Sequence, residues 1–155
     1  MFLNKSLLAD AAILLALLLL GLVSYKLPPL LLPQSDVTIE PNPACDPART
    51  ACALSLPEGG RMSFSFSPLP VPVAAPFEVR VGFDGIQAKS VTIDFTGVGM
   101  AMGLNRFQLT GDGASFFASA SLPVCVTGRM EWQATVIAET SRQRIAVPFR
   151  FFVGQ

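Results

Sequence analysis

The chain has 155 residues, 51% of them hydrophobic and 14% charged, against about 25% charged in an average soluble domain. That length fits one domain with an appendage, and that composition excludes a disordered chain. Eleven basic and eleven acidic residues cancel and there is no histidine, which excludes a basic nucleic-acid surface, Ser-His-Asp and Cys-His nucleophile sets, and imidazole-ligated metals.

The first element is apolar. From Leu7 to Val23 the single charge is Asp10. A helix over that span rises about 26 Å, close to the hydrocarbon thickness of a bilayer. Lys5 precedes the run; Tyr25, a type favoured at the membrane interface, and Lys26 follow it. No small-x-small cleavage signature follows, and no cysteine stands directly after the run to make a lipoprotein site. The spacing therefore predicts an uncleaved signal anchor over residues 7–25, after a cytoplasmic N-terminus of residues 1–6. Asp10 lies about one turn in. It sits at headgroup level, or it pairs with a polar group on a partner helix. Residues 26–36 form a linker in which Pro28, Pro29 and Pro33 stop a helix and favour an extended, semi-rigid path.

Residues 37–155 carry a period of two. Met62, Phe64 and Phe66 alternate with serines; Phe77, Val79, Val81 and Phe83 with Glu78, Arg80 and Gly82; Val91, Ile93 and Phe95 with Thr92 and Asp94. The pattern returns at Met130, Trp132, Ala134 and Val136, and at Ile145, Val147, Phe149, Phe151 and Val153. Such runs predict half-buried antiparallel strands. Weaker strands are expected over residues 51–56, 105–110 and 115–121. Turn signals separate them at Pro57–Gly60, Asp84-Gly85 and Gly111-Asp112-Gly113. Seven or eight strands in about 120 residues predict an all-β domain, an immunoglobulin-like antiparallel β-sandwich preceded by one transmembrane helix. Pro68, Pro70, Pro72 and Pro76 are expected to form a stiff crossover from one sheet to the other.

The sulfur residues are the unusual chemistry. Cys45 and Cys52 bracket a short loop, and Cys125 stands alone near a strand start. A bridge between Cys45 and Cys52 is the simplest pairing; either one reaching Cys125 is the alternative. Any disulfide places the domain in an oxidising space such as the bacterial periplasm. Three cysteines leave one over. Met100 and Met102 lie in the glycine-rich run Gly97–Gly103, where glycines break or bulge a strand. Two thioethers at this spacing suit Cu(I), with Cys125 as the natural third ligand. The competing reading makes the methionines packing residues or an apolar partner surface. Asn105 and Arg106 adjoin this loop. They are a solvated turn and strand start, or they fix an anionic partner. Asp84, Asp94, Asp112 and Glu131 are scattered on solvent positions and turns, so no catalytic set and no small-molecule substrate is expected.

The run DFTGVGMAMGLNRFQL, followed by LPVCVTGRMEWQATV, together with the short anchor, resembles single-pass periplasmic proteins of the FixH/YtkA-like group. The resemblance spans roughly residues 75–153. It implies a small sandwich held at the bacterial inner membrane. It also implies a role in copper handling and cytochrome oxidase assembly, with Met100 and Met102 as metal-site methionines. On that basis the chain is expected to be a Cu(I)-binding accessory or assembly factor for a membrane respiratory complex. The alternative is a metal-free interaction subunit that docks through its methionine loop and transmembrane helix.

Overall fold

A computed structural model describes residues 10–22, 37–100, 103, 105–123 and 128–154. The chain divides into two compact units, Met1–Gln34 and Ser35–Gln155. In the first, residues 10–22 are helical. Leucines around this helix are exposed, Leu14, Leu15, Leu18 and Leu20 among them. No helix among the described residues is long and apolar enough to cross a membrane. The remainder of the expected anchor and the whole of the linker, residues 26–36, lie outside the described residues.

The second unit is all β. Its described residues form β1 (Val37–Thr38), β2 (Cys52–Ser55), β3 (Arg61–Ser67), β4 (Phe77–Asp84), β5 (Ser90–Gly97), β6 (Asn105–Gly111), β7 (Ser115–Ala120), β8 (Met130–Glu139) and β9 (Arg144–Val153). They make one hydrogen-bonded sheet in the order β1-β9-β8-β5-β6-β7-β4-β3-β2. Every pairing is antiparallel except β1 against β9. All nineteen apolar residues named above for the five strong alternating runs are buried. Alternation sends successive side chains to opposite faces, so one face of each strand is committed to the core.

The sheet curls until its two halves face each other, and phenylalanine rings fill the space between. Phe64 of β3 stacks on Phe149 of β9, with centroids 4.6 Å apart. Phe66 contacts Phe64, Phe77, Phe95 and Phe151 at centroid distances of 4.9, 5.4, 6.2 and 5.0 Å. Edge-to-face and offset pairs add to the area each ring buries.

The halves are joined at β6. Its residues Asn105 to Leu109 pair with β5, and Thr110 and Gly111 pair with β7. Gly111 permits the transfer. A Cβ there would lie 2.1 Å from the Ser115 carbonyl oxygen and 2.6 Å from the Phe116 ring. Beyond it, Asp112 accepts the backbone N–H groups of Ser115 and Ala114, which holds its carboxyl below the usual range. At the β8–β9 turn, Glu139 accepts Arg144 Nε at 3.0 Å and the Ser90 hydroxyl at 2.9 Å. Arg144 and then Ser90 lower the carboxyl of Glu139.

The proline-rich segment does not cross between halves. β3 and β4 pair along their length, from Arg61↔Asp84 to Ser67↔Glu78, so residues 68–76 return the chain to its own neighbour. Proline stiffness fixes a local path, not the strand that receives it. The shift from β4 to the other half is made by residues 85–89, where Lys89 N–H donates to the Glu139 carbonyl.

Phe66 touches four rings on four strands and is 3% exposed. Phe66→Ala is expected to cost about 3–5 kcal/mol, measured by urea denaturation of the folded domain. Ser65→Ala, on the opposite face of the same strand, is expected to stay within about 0.5 kcal/mol.

Candidate functional site at one end of the domain

The register directs every odd-numbered strand toward the same end of the domain. The connections leaving β1, β3, β5 and β7 emerge there, with the last residues of β9. The opposite end holds the tight turns and Val37, where the chain joins the sheet.

Exposed apolar side chains concentrate at this loop end. Leu69 is 43% exposed, Val73 47%, Met100 44% and Phe152 45%. Elsewhere in the described domain, Phe117 on β7 is the large apolar side chain of comparable exposure. A depression of about 520 Å³ is lined by the apolar Pro70, Val71, Val73 and Phe152 and by the charged Asp46, Arg49 and Arg129. The Arg129 guanidinium lies 4.2 Å from the Phe152 ring centroid, a cation–π contact that shields one face of an exposed aromatic.

Cys45 and Cys52 form a disulfide with Cα atoms 5.7 Å apart. Cys52 is buried at the head of β2, and Cys45 packs partly against the core. The bridge fastens the connection from β1 onto the loop end. Asn42 and Asp46 order that connection, Asn42 accepting the Ala44 N–H and Asp46 the Ala48 N–H. The pairing leaves Cys125 as the odd cysteine of the chain.

β5 ends at Gly97, and the methionine loop follows. Gly99 and Gly103 have φ of 82° and 73°, values that favour glycine. Glycine therefore ends the strand, as its spacing predicts. Met100 is exposed on this turn. Met102 and Cys125 lie outside the described residues. Val98 N–H donates to the Glu131 carbonyl at 2.9 Å, so the loop begins beside the start of β8, the strand that follows Cys125. Met130 is buried on the same face as Trp132, as alternation predicts.

The remaining sequence-derived candidates are dispersed. Asp10 begins the described helical residues. Asn105 opens β6 opposite Phe95. Arg106 donates to Asp94 Oδ2 at 2.8 Å across the β5–β6 pair, so its charge is met within the domain. Among the described residues no group of three or more His, Cys, Asp or Glu side chains could hold a metal ion.

Leu69, Val73, Arg129 and Phe152 were not singled out by spacing. One signal for them exists. Phe152 occupies a polar position of the β9 alternation, where an aromatic has no core to enter.

No family model matches the chain, and no curated protein matches it. Among solved structures the chain is similar to a crystal structure of an engineered protein. The identity is 24%, over 62% of this chain and 20% of that one, with a TM-score of 0.45. The chain thus spans about a fifth of that protein's length.

Replacing Cys45 and Cys52 together by serine is expected to cost about 2–3 kcal/mol in the chain-entropy account of a short loop. Urea denaturation with and without reductant checks this. The wild-type protein loses that increment on reduction, and the double variant is insensitive to reductant.

Proposed function

We propose that the protein is an anchored accessory domain of a membrane complex, held at the bacterial inner membrane with its β domain in the periplasm. It engages its partner through the loop end. The observation that carries this reading is the concentration of Leu69, Val73, Met100 and Phe152 at one end of the domain, four of the five large apolar side chains exposed among its described residues. Contiguous exposed apolar surface is costly in water and marks contact sites.

The Cys45–Cys52 bridge supports an oxidising compartment. Residues 11–23 carry no charge, and a helix apolar on all sides is at home in lipid or a protein interior. Both support an anchor over residues 7–25. The finer fold reading is an immunoglobulin-like sandwich. Strand order supports it: β4–β7 and β5–β8–β9 occupy the B–E and C–F–G places, with β3 as strand A. Two departures go with it. The disulfide closes a local loop instead of joining strands B and F, and Trp132 lies on the F-like strand instead of strand C.

Cu(I) is the more specific reading, and the odd cysteine favours it. With Cys45 and Cys52 paired, Cys125 is left for other chemistry, in a segment that leads into β8 beside the methionine loop. Met100, Met102 and Cys125 would supply an all-sulfur donor set, which suits Cu(I) without histidine. The domain would then deliver or accept copper at a respiratory complex such as cytochrome oxidase.

Two outcomes test these readings separately. Val73→Ser with Phe152→Ser is expected to leave the circular dichroism spectrum unchanged. Co-purification of the membrane partner with the full chain in mild detergent is expected to fall at least tenfold. Undiminished co-purification removes the loop end as the contact surface. For copper, the full chain titrated with Cu(I) against a competing chelator is expected to bind one ion. Met100→Ala with Met102→Ala is expected to abolish binding without unfolding. A wild-type chain that takes no Cu(I) leaves the loop as a contact surface alone.

A further inference from the structure

β6 and β7 pair only at Thr110↔Phe117 and Gly111↔Phe116. From there they diverge toward the loop end as each follows its own half of the sheet. The opening is a cleft of about 440 Å³ lined by Arg106, Phe107, Gln108, Phe117, Ala118 and Ser119. Asp112 N–H donates to the Ser115 carbonyl across the hairpin. In an antiparallel ladder alternate residues turn their backbone groups to the same neighbour. Even-numbered residues of β6 therefore face β7, and Thr110 is the last of them to be paired. Among the described residues, the backbone groups of Arg106 and Gln108 meet no strand on that side.

We propose that this open edge of β6 pairs with β6 of a second copy of the chain, antiparallel and centred on Phe107. The edge lacks the devices that keep strands apart. It has no proline and no lysine, and Asp94 neutralises its one charge, Arg106. The outer edges of the sheet differ. β1 is two residues long, and β2 is four residues long and closed at its head by the disulfide.

The open run is self-complementary. A two-fold axis at Phe107 brings each residue of 105–109 opposite another residue of the same run, as an isologous interface requires. Pairing there sets Arg106 opposite Gln108 and Asn105 opposite Leu109 of the other copy, so no like charges are opposed. An added strand on this edge also lies beside Phe117, which is 54% exposed. The chain between Lys26 and Asp36 spans at most about 35 Å when extended, which allows both copies to be tethered in one bilayer.

The test uses the full chain in a Cys125→Ser background. Two differently tagged versions, one Arg106→Cys and one Gln108→Cys, are co-expressed and oxidised with diamide. Opposed residues of a hydrogen-bonded pair have Cα atoms about 5.5 Å apart, within the Cα range a disulfide spans, which predicts a mixed disulfide dimer, with little from either version alone. Adding Gln108→Pro to the Arg106→Cys version removes an N–H that faces the open side and is expected to abolish the cross-link. A second measurement needs no substitution. Hydrogen exchange at the Arg106 and Gln108 amides of the wild-type chain is expected to slow at least tenfold as protein concentration rises. Rapid, concentration-independent exchange with no mixed dimer overturns the proposal. So does a cross-link to a different protein while the chain stays monomeric, which would assign the edge to a foreign strand.

Discussion

The fold depends on a layer of phenylalanine rings that holds two half-sheets together. Among the described residues, strand pairing between the halves runs only through the two positions at Thr110 and Gly111. Apart from the chain crossing at residues 85–89 and turn contacts such as the Thr140 hydroxyl on Glu58, what keeps β3 and β4 over β5, β8 and β9 is mainly apolar contact. Phe64 on Phe149, and Phe66 against Phe95 and Phe151, span the gap. Sheets packed face to face stand about 10 Å apart, a distance that rings from both sides fill and aliphatic side chains from one side do not. Phe64, Phe66, Phe77, Phe95, Phe149 and Phe151 fill that distance. Their packing also explains why the outer face of β3 can be serine at every second position. Those positions need only tolerate water, and the small side chains leave the strand's commitment to the inner face unopposed.

The junction at Gly111 sets the polarity of the rest. Because the chain passes from one half to the other at the β6–β7 hairpin, its strands splay apart toward the opposite end. The connections that leave β1, β3, β5 and β7 collect there. Tight turns with fixed hydrogen bonds, such as Asp112 with Ser115 and Glu139 with Arg144, occupy the near end. Long connections rich in proline and glycine occupy the far one. A domain built this way offers its variable surface at a single end, and that is where Leu69, Val73, Met100 and Phe152 are found.

Much of this was legible in the sequence. Parity identified the inner-facing residues of all five strong strands, because alternation is imposed by the backbone and does not depend on partners. The Cys45–Cys52 bridge was legible as the shortest closure. Strand partnership was not. Pro68 to Pro76 reads as a stiff crossover in isolation and proves to be the connection of a hairpin, since the register of β3 on β4 is set by the whole inner face. Arg106 reads as a solvated strand start or as a cation for an anionic partner, and its ion pair with Asp94, twelve residues away, is invisible until the β5–β6 register brings the two opposite. Phe152 carried a visible signal as an aromatic on a polar position. Leu69 and Val73 carried none, because a valine or leucine between prolines reads the same whether it packs inward or faces water. Met102 and Cys125 fall outside the described residues, so the sulfur constellation rests on the sequence and on its bounding strands.

The contact between Arg129 and Phe152 constrains what can cover the loop end. The guanidinium carbon lies 4.2 Å from the ring centroid, so one side of the cation faces the ring and the rest depends on water for hydrogen bonds. A surface that buries Phe152 also strips water from Arg129, and an unpaired buried cation is far more costly than the apolar area gained. On the proposed reading, a partner that fits must leave Arg129 an acceptor, from Asp46 of the same depression or from its own carboxylate or carbonyl groups, while laying apolar groups over Val73 and Phe152. That combination discriminates between partners. A purely apolar surface gains the contacts and leaves the charge no acceptor beyond Asp46, and a purely acidic one meets the charge but leaves the depression wet. In the proposed docking, selectivity of this kind would rest on the penalty that the wrong partner meets, set by the charged Arg129, Asp46 and Arg49 of the depression.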